Sequence, residues 1–251
     1  SDLVPVTGLL RFLRASPIAR YVGPTLNDIT GAGQVAADLD VRVPIARPDD
    51  FAVTGRFDAR RASLGLRGVD FGLTDLAGTV RLQNTELRAT GIRGRFLDEP
   101  VTIDLRPAGP GEPGQSFVAT LEGATPVAKL AAAFSLPFPE RLAGTMAWNA
   151  TALIPSRDPS STLQVRVASD LSGVGTSLPE PLAKAAADRE PLDLRVEFPD
   201  RGSLLVGGGL ARGLRWTLRF TQREGGGFDL ERGALARGPA TLPDRPGLVI
   251  T

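Results

Sequence analysis

Long stretches of this 251-residue chain alternate apolar and polar side chains with a period of two. Val35, Ala37, Leu39, Val41, Val43 and Ile45 share one parity; Gln34, Ala36, Asp38, Asp40 and Arg42 share the other. Successive side chains of a strand point to opposite faces, so the pattern specifies a strand with one apolar face. At about 3.3 Å per residue it runs beyond ~30 Å, well past the usual five or six residues. Arg47-Pro48-Asp49-Asp50 then turns the chain, and Phe51, Val53, Gly55 and Phe57 alternate again, followed by Leu64 and Leu66. Parity changes after Gly68, where Val69, Phe71 and Leu73 continue, and after Gly91, where Ile92 and Phe96 follow Leu87 and Ala89. Glycine at a parity change predicts a β-bulge or bend. Gly78, Val80 and Leu82, and later Val101, Ile103 and Leu105, complete this run. Strand after strand through short polar turns predicts an antiparallel meander.

Short helices punctuate it. Thr7 to Val22 reads as helical, with Leu9, Leu10, Phe12 and Leu13 on one face and a break at Pro17. Thr125-Pro126 predicts a second helix that buries Val127, Leu130, Ala131 and Phe134. The Pro/Gly loop at Pro107 to Gly114 is the best internal boundary in what otherwise reads as one β-rich segment. Met146, Trp148, Ala150, Ala152 and Ile154 form a further strand. From Thr162 to Phe198, one strand (Leu163, Val165, Val167) and another (Leu192, Leu194, Val196, Phe198) flank a short helix starting near Pro179 and Pro181. On that helix Glu180 and Lys184 are spaced to pair on a wet face. Leu214, Trp216, Leu218 and Phe220 alternate against Arg215, Thr217 and Arg219, so Trp216 points inward. Phe228 and Leu230 open a last hairpin, and Leu248 and Ile250 begin another strand, as expected of a piece cut from a longer protein.

Composition removes most chemistries. With no Cys and no His, disulfides, thiolate nucleophiles, imidazole catalysis and the usual zinc sites are excluded. A net charge of +1 gives no general attraction to nucleic acid or to an anionic membrane. Neither glycine run is followed by Lys-Ser or Lys-Thr, which removes a phosphate-binding loop. Asp38 with Asp40 reads as a solvated strand face, and Asp49-Asp50 lacks the ligand spacing of a calcium loop. No stretch of about 18 apolar residues is present. Neither an enzyme nor a cofactor is expected. What remains is a large sheet with one apolar face. By periodicity alone a closed β-sandwich is the expected solution, and a face left partly open to an apolar ligand is the alternative.

One string adds to this reading. Ser169-Asp170-Leu171, Gly173, Leu178-Pro179, Pro181-Leu182 and Lys184 resemble the YhdP branch of the AsmA-like envelope proteins. Taken singly, Asp170 reads as a turn residue bonded to its own backbone and Lys184 as a solvated charge. The resemblance, which covers most of the chain, favours the open alternative. It implies a mainly β fold with a few short helices, in which a large antiparallel sheet curls into a taco-like groove. It further implies the periplasmic part of an inner-membrane-anchored Gram-negative protein, the anchor lying outside this fragment. The implied activity is phospholipid movement toward the outer membrane, in support of its barrier, with other envelope partners unknown. Parity then nominates Val41, Val43, Phe57, Met146, Trp148, Val165 and Val196 as the lining.

Overall fold

A computed structural model describes residues 2–15, 24–42, 52–69, 72–134, 136, 138–156, 162–179, 182–200, 202–223 and 228–250. The chain opens with β1 (Asp2–Pro5), α1 (Val6–Ala15) and a 3-10 turn (Pro24–Asn27). The meander follows as β2 (Ile29–Arg42), β3 (Ala52–Leu66), β4 (Gly72–Gln83), β5 (Glu86–Phe96), β6 (Glu99–Pro107) and β7 (Gln115–Pro126). After α2 (Val127–Ala133) come β8 (Leu142–Pro155), β9 (Leu163–Ser169), β10 (Val174–Thr176) and β11 (Leu192–Asp200). The chain continues with β12 (Ser203–Leu210), β13 (Leu214–Gln222), β14 (Phe228–Arg237) and β15 (Gly247–Ile250).

Hydrogen bonding orders the strands by sequence from β1 to β15, with β10 off the path and paired to β8. The sheet is open: β1 and β15 stand at its two ends, unpaired with each other. The described strands therefore form one sheet, not the two layers of a sandwich, and the mainly β expectation holds. Neighbours are antiparallel wherever register is defined, except that β15 runs parallel to β14. The expected last hairpin is thus a crossover through residues 238–246, because parallel neighbours cannot be joined by a tight turn.

The chain divides into two compact units. Unit 1 comprises Ser1–Arg67, Gly72–Leu121 and Leu153–Ser161; unit 2 comprises Gly68–Phe71, Glu122–Ala152 and Thr162–Thr251. The 107–114 loop joins β6 to β7 within unit 1. There Arg106 donates from both guanidinium ends to Glu112, at 2.8 and 2.6 Å, and Gly109 N–H adds a bond at 2.8 Å. These donors hold the Glu112 carboxyl down to about 2.

Unit 1 is built by register. Ala37, Phe57, Val80, Ala89 and Leu105 face one another in a row across β2 to β6. Val53, Phe57, Leu76, Leu82, Ile92 and Phe117 are buried in one cluster, Leu82 at 2% exposure and Phe57 at 5%. Each such side chain contributes about 1.5–3 kcal/mol by leaving water. Two buried residues of α1, Val6 and Leu10, join the cluster. Arg14 pins the helix end by donating to Leu26 O at 3.2 Å and Ile29 O at 2.6 Å. The helix begins at Val6, ahead of Thr7, and the expected continuation past Ala15 lies outside the described residues.

Parity is preserved across unit 1 because extra residues are absorbed in bulges. Register shifts fall at Gly33, Arg61, Asp75 and Gly91, each with φ between 50° and 89°. Gly91 fulfils the expectation of a bulge. Gly68 instead lies in the turn between β3 and β4, and the bulge of β3 falls earlier, at Arg61, between Phe57 and Leu64. Sequence pattern cannot flag Arg61, since arginine rarely adopts a left-handed backbone. Phe134, expected to be buried, is exposed, since α2 ends at Ala133 and buries only Val127 and Ala131. At Gly33, φ is +89° and an added Cβ would stand 2.6 Å from Arg61 O. Gly33→Val should therefore cost about 2–3 kcal/mol, read as a lower urea midpoint with unchanged slope.

Candidate functional site

The apolar face of unit 2 differs from that of unit 1 in exposure. Val165, Val196, Val206, Leu218, Gly233 and Leu248 face one another in a single row across β9 and β11 to β15. Beside it runs Val167, Leu194, Gly208, Trp216, Leu235 and Ile250. Toward the other strand ends, Leu163 pairs with Phe198, and Leu204, Phe220 and Leu230 align. No residue of β9 is buried, nor is any described residue of β11. Exposure rises at the last strands: Leu230 is 43% exposed, Leu248 50% and Ile250 69%. From Leu192 to Phe198 the band measures about 20 Å along the strands.

Trp216 lies over bare backbone. A Cβ on Gly208 would stand 2.6 Å from Trp216 Cζ2 and 2.7 Å from Leu194 Cδ2, so only glycine admits the indole here. The reverse face is covered at β13 and β14. Thr217 Oγ1 donates to Ala240 O at 3.0 Å and Arg232 to Pro243 O at 3.2 Å, fastening the 238–246 crossover over it. Ala234 and Ala236 on that face are buried.

The recognised string closes one end of the band. Ser169 Oγ donates to Ala147 O at 2.7 Å and accepts from Leu171 N–H at 3.0 Å. Asp170 Oδ1 accepts from Ser172 N–H at 3.0 Å, the turn bond expected of it. At Gly173, φ is +82°, and its N–H donates to Ala186 O at 2.9 Å. Two expectations fail. The described part of 179–188 holds turns and a bridge between Thr176 and Lys184, not a helix. Lys184 is buried, not solvated, at 8% exposure. Its ammonium donates to Leu171 O and Val174 O at 2.8 Å each and to Ala185 O at 3.1 Å. Three donors on one nitrogen meet three carbonyls of a folded-back loop. Arg212 then ties the loop to the β12–β13 turn, meeting buried Glu190 at 2.7 Å and Ala183 O at 2.8 Å. Leu178, Pro179 and Leu182 complete the described string; Pro181 and Glu180 lie outside the described residues.

Of the nominated lining, Val165 and Val196 are direct partners in the half-exposed row. Met146 is half-buried, and Trp148 is buried with Nε1 bonded to Thr125 Oγ1 at 2.9 Å. In unit 1, Val41 is exposed and Phe57 buried; Val43 lies outside the described residues. Val206, Trp216, Leu218 and Leu235 were not nominated, although their alternation was legible; their exposure was not. A concavity of about 880 Å³, lined by Trp148, Asp170, Leu192, Leu210 and Arg215 among others, opens where the loop meets the strand ends. Among the described residues no His, Cys, Asp or Glu cluster could hold a metal ion, and no helix is long and apolar enough to cross a membrane. Lys184→Met should orphan the three carbonyls and cost about 3 kcal/mol, whereas Asp170→Asn, which keeps its acceptor, should cost under about 1 kcal/mol; chemical denaturation reads both.

Comparison with known proteins agrees with the string. The YhdP protein family matches residues 5–251. The intermembrane phospholipid transporter YhdP of Escherichia coli (strain K12) is 25% identical over 237 residues, 92% of this chain and 18% of that relative's length. No solved structure matches. A match over nearly every residue, carried by an open β-sheet, places this chain in the YhdP family.

Proposed function

We propose that this chain is one β-rich segment of a longer, groove-forming envelope protein that moves phospholipid between inner and outer membranes and so supports the outer-membrane barrier. Its place is the periplasm, with the inner-membrane anchor and any protein partners elsewhere. The six-strand, half-exposed apolar band of unit 2 carries this reading.

The physical need is large. Each methylene in water costs about 0.8 kcal/mol, so a lipid with some thirty of them faces roughly 24 kcal/mol when fully exposed. A barrier of that height allows only about 10⁻⁵ events per second. Aliphatic side chains at uniform spacing remove most of the cost without holding the chain tightly at any point. No nucleophile, general base or metal is required. The proposed lining is the Val165–Val196–Val206–Leu218 row with Trp216 and Leu194, while Val41 offers an exposed apolar position in unit 1. Phe57 and Trp148, buried in this conformation, are lining only where their surroundings open.

A closed scaffold is the second reading, favoured by the buried cluster of unit 1. Native mass spectrometry separates the two, since a scaffold carries no co-purified phospholipid. Trp216 supplies a direct test, because Trp148 is the chain's other tryptophan. In a Trp148→Phe background, vesicles of lipid brominated along the acyl chain should quench Trp216 by half or more. Val196→Asp should weaken that quenching about tenfold, the penalty of ~1.4 kcal/mol or more for a carboxylate against hydrocarbon. Photocrosslinkers should give lipid adducts at Val165 but none at Gln164 or Arg166; the reverse pattern rejects the assignment.

A further inference from the structure

We propose that the loop between α2 and β8 is a docking surface for a phospholipid bilayer, entering its interface with Phe134, Leu136 and Phe138. This goes beyond the band of unit 2, which concerns lipid already taken from a membrane, and the two stand or fall separately.

Three large apolar side chains crowd this short loop and stay in water: Phe134 is 45% exposed, Leu136 40% and Phe138 60%. Single apolar residues on a surface are ordinary, whereas a contiguous group marks a contact. Phe138 also caps the 3-10 turn Pro139–Arg141 with a φ of +56°. A bulky side chain on a left-handed backbone is uncommon. Here that position holds the most exposed phenylalanine among the described residues.

The loop's chemistry selects a bilayer over a partner strand. Its described backbone donors are bonded internally: Phe134 N–H to Leu130 O, Leu136 N–H to Ala131 O and Arg141 N–H to Phe138 O, each at 2.9 Å. Pro137 and Pro139 have no N–H to offer. An incoming strand would find few donors to pair with. A medium without hydrogen-bonding groups, by contrast, takes in a backbone bonded to itself at little cost. Cations stand at both roots, Lys129 on α2 and Arg141 just ahead of β8, against the single carboxylate of Glu140. Aromatic and aliphatic side chains bordered by Lys and Arg are the composition of an interfacial segment, and such cations are drawn to lipid phosphates.

The loop also stands at a fitting place. Its C-terminal root is tied to the recognised string, since Ser177 N–H donates to Arg141 O at 2.9 Å and Leu142 faces Thr176. Ser169, the last residue of β9, bonds to Ala147 O, and β8 extends past that point back to Leu142. At the usual rise per residue this overhang is about 16 Å. The apolar tip thus projects beyond the strand ends where the 880 Å³ concavity opens.

Because the chain contains no cysteine, Leu136→Cys can carry a single environment-sensitive dye. The whole 251-residue chain is mixed with vesicles of phosphatidylethanolamine and phosphatidylglycerol. It should float with them, and the dye should shift to the blue and brighten about twofold as it leaves water. Phe138→Asp should lower the vesicle affinity about tenfold, the loss of one buried apolar side chain. Aspartate takes a left-handed backbone more readily than phenylalanine, so this variant should keep its urea midpoint, and unfolding does not account for the loss. Photocrosslinking from Val165 to a short-chain phospholipid supplied as monomers should be unchanged in Phe138→Asp. Flotation without a blue shift at Leu136, or no flotation at all, overturns the bilayer contact, while monomer adducts at Val165 keep the band. A blue shift that grows with protein concentration in the absence of lipid assigns the loop to a second copy and overturns it too. Absent Val165 adducts beside the expected shift at Leu136 overturn the band and uphold the loop.

Discussion

Register is the constraint on which the molecule depends. A strand repeats every two residues, so a slip by one moves its whole apolar set to the opposite face. Here Ala37, Phe57, Val80, Ala89 and Leu105 stay aligned across five strands of unit 1. Val165, Val196, Val206, Leu218 and Leu248 stay aligned in unit 2, with Gly233 between the last two. Lateral hydrogen bonds satisfy the backbone of each interior strand. A second layer is therefore unnecessary for the backbone, and the question passes to what covers the side chains. In unit 1 Phe57 and Ala89 are buried, with Ala37, Val80 and Leu105 packed half-buried beside them; in unit 2 Val165, Val196, Val206 and Leu218 are all half-open.

What keeps register fixed lies away from the apolar faces. The bulges at Arg61, Asp75 and Gly91 take up one residue each, so that Leu64, Leu76 and Ile92 rejoin the apolar parity. In unit 2 a bulge at Glu231 takes up one residue of β14, while the Lys184 ammonium gathers three carbonyls and Arg212 closes on Glu190 in the loop between β9 and β11. The exposed pairs on the polar faces, such as Arg56 with Asp58 and Arg88 with Glu86, add little stability. Their value is to keep those faces wet, which restrains face-to-face stacking of a long open sheet.

Period-two alternation made the strands legible, because it reports which face a side chain takes. It identified the mainly β class, the meander, the bulge at Gly91 and the inward Trp216. It could not report degree of burial, which depends on what lies opposite. Phe57 and Val196 have the same pattern in sequence; one is buried and the other half-exposed. Lys184 was illegible for a different reason. Its partners are backbone carbonyls, which every residue has, so no side-chain spacing advertises them. The 179–188 stretch misled through its prolines, which suit a helix start and an irregular loop equally well. The crossover before β15 was hidden because a glycine or proline marks a turn without specifying the direction of the next strand.

These differences give the two kinds of residue separate duties. A surface along which hydrocarbon slides must present no deep minimum, so strong directional bonds on it would arrest the cargo. The polar bonds made by Thr217, Arg232, Lys184 and Arg212 sit on the reverse face or beyond the strand ends. The recognised string thus shapes the loop beside the sheet, and its described bonds are made to backbone groups of that loop and of its neighbours. Its substitution should alter stability first, whereas a charge at Val196 or Leu218 should alter binding first, and that ordering follows from where each group stands in the sheet.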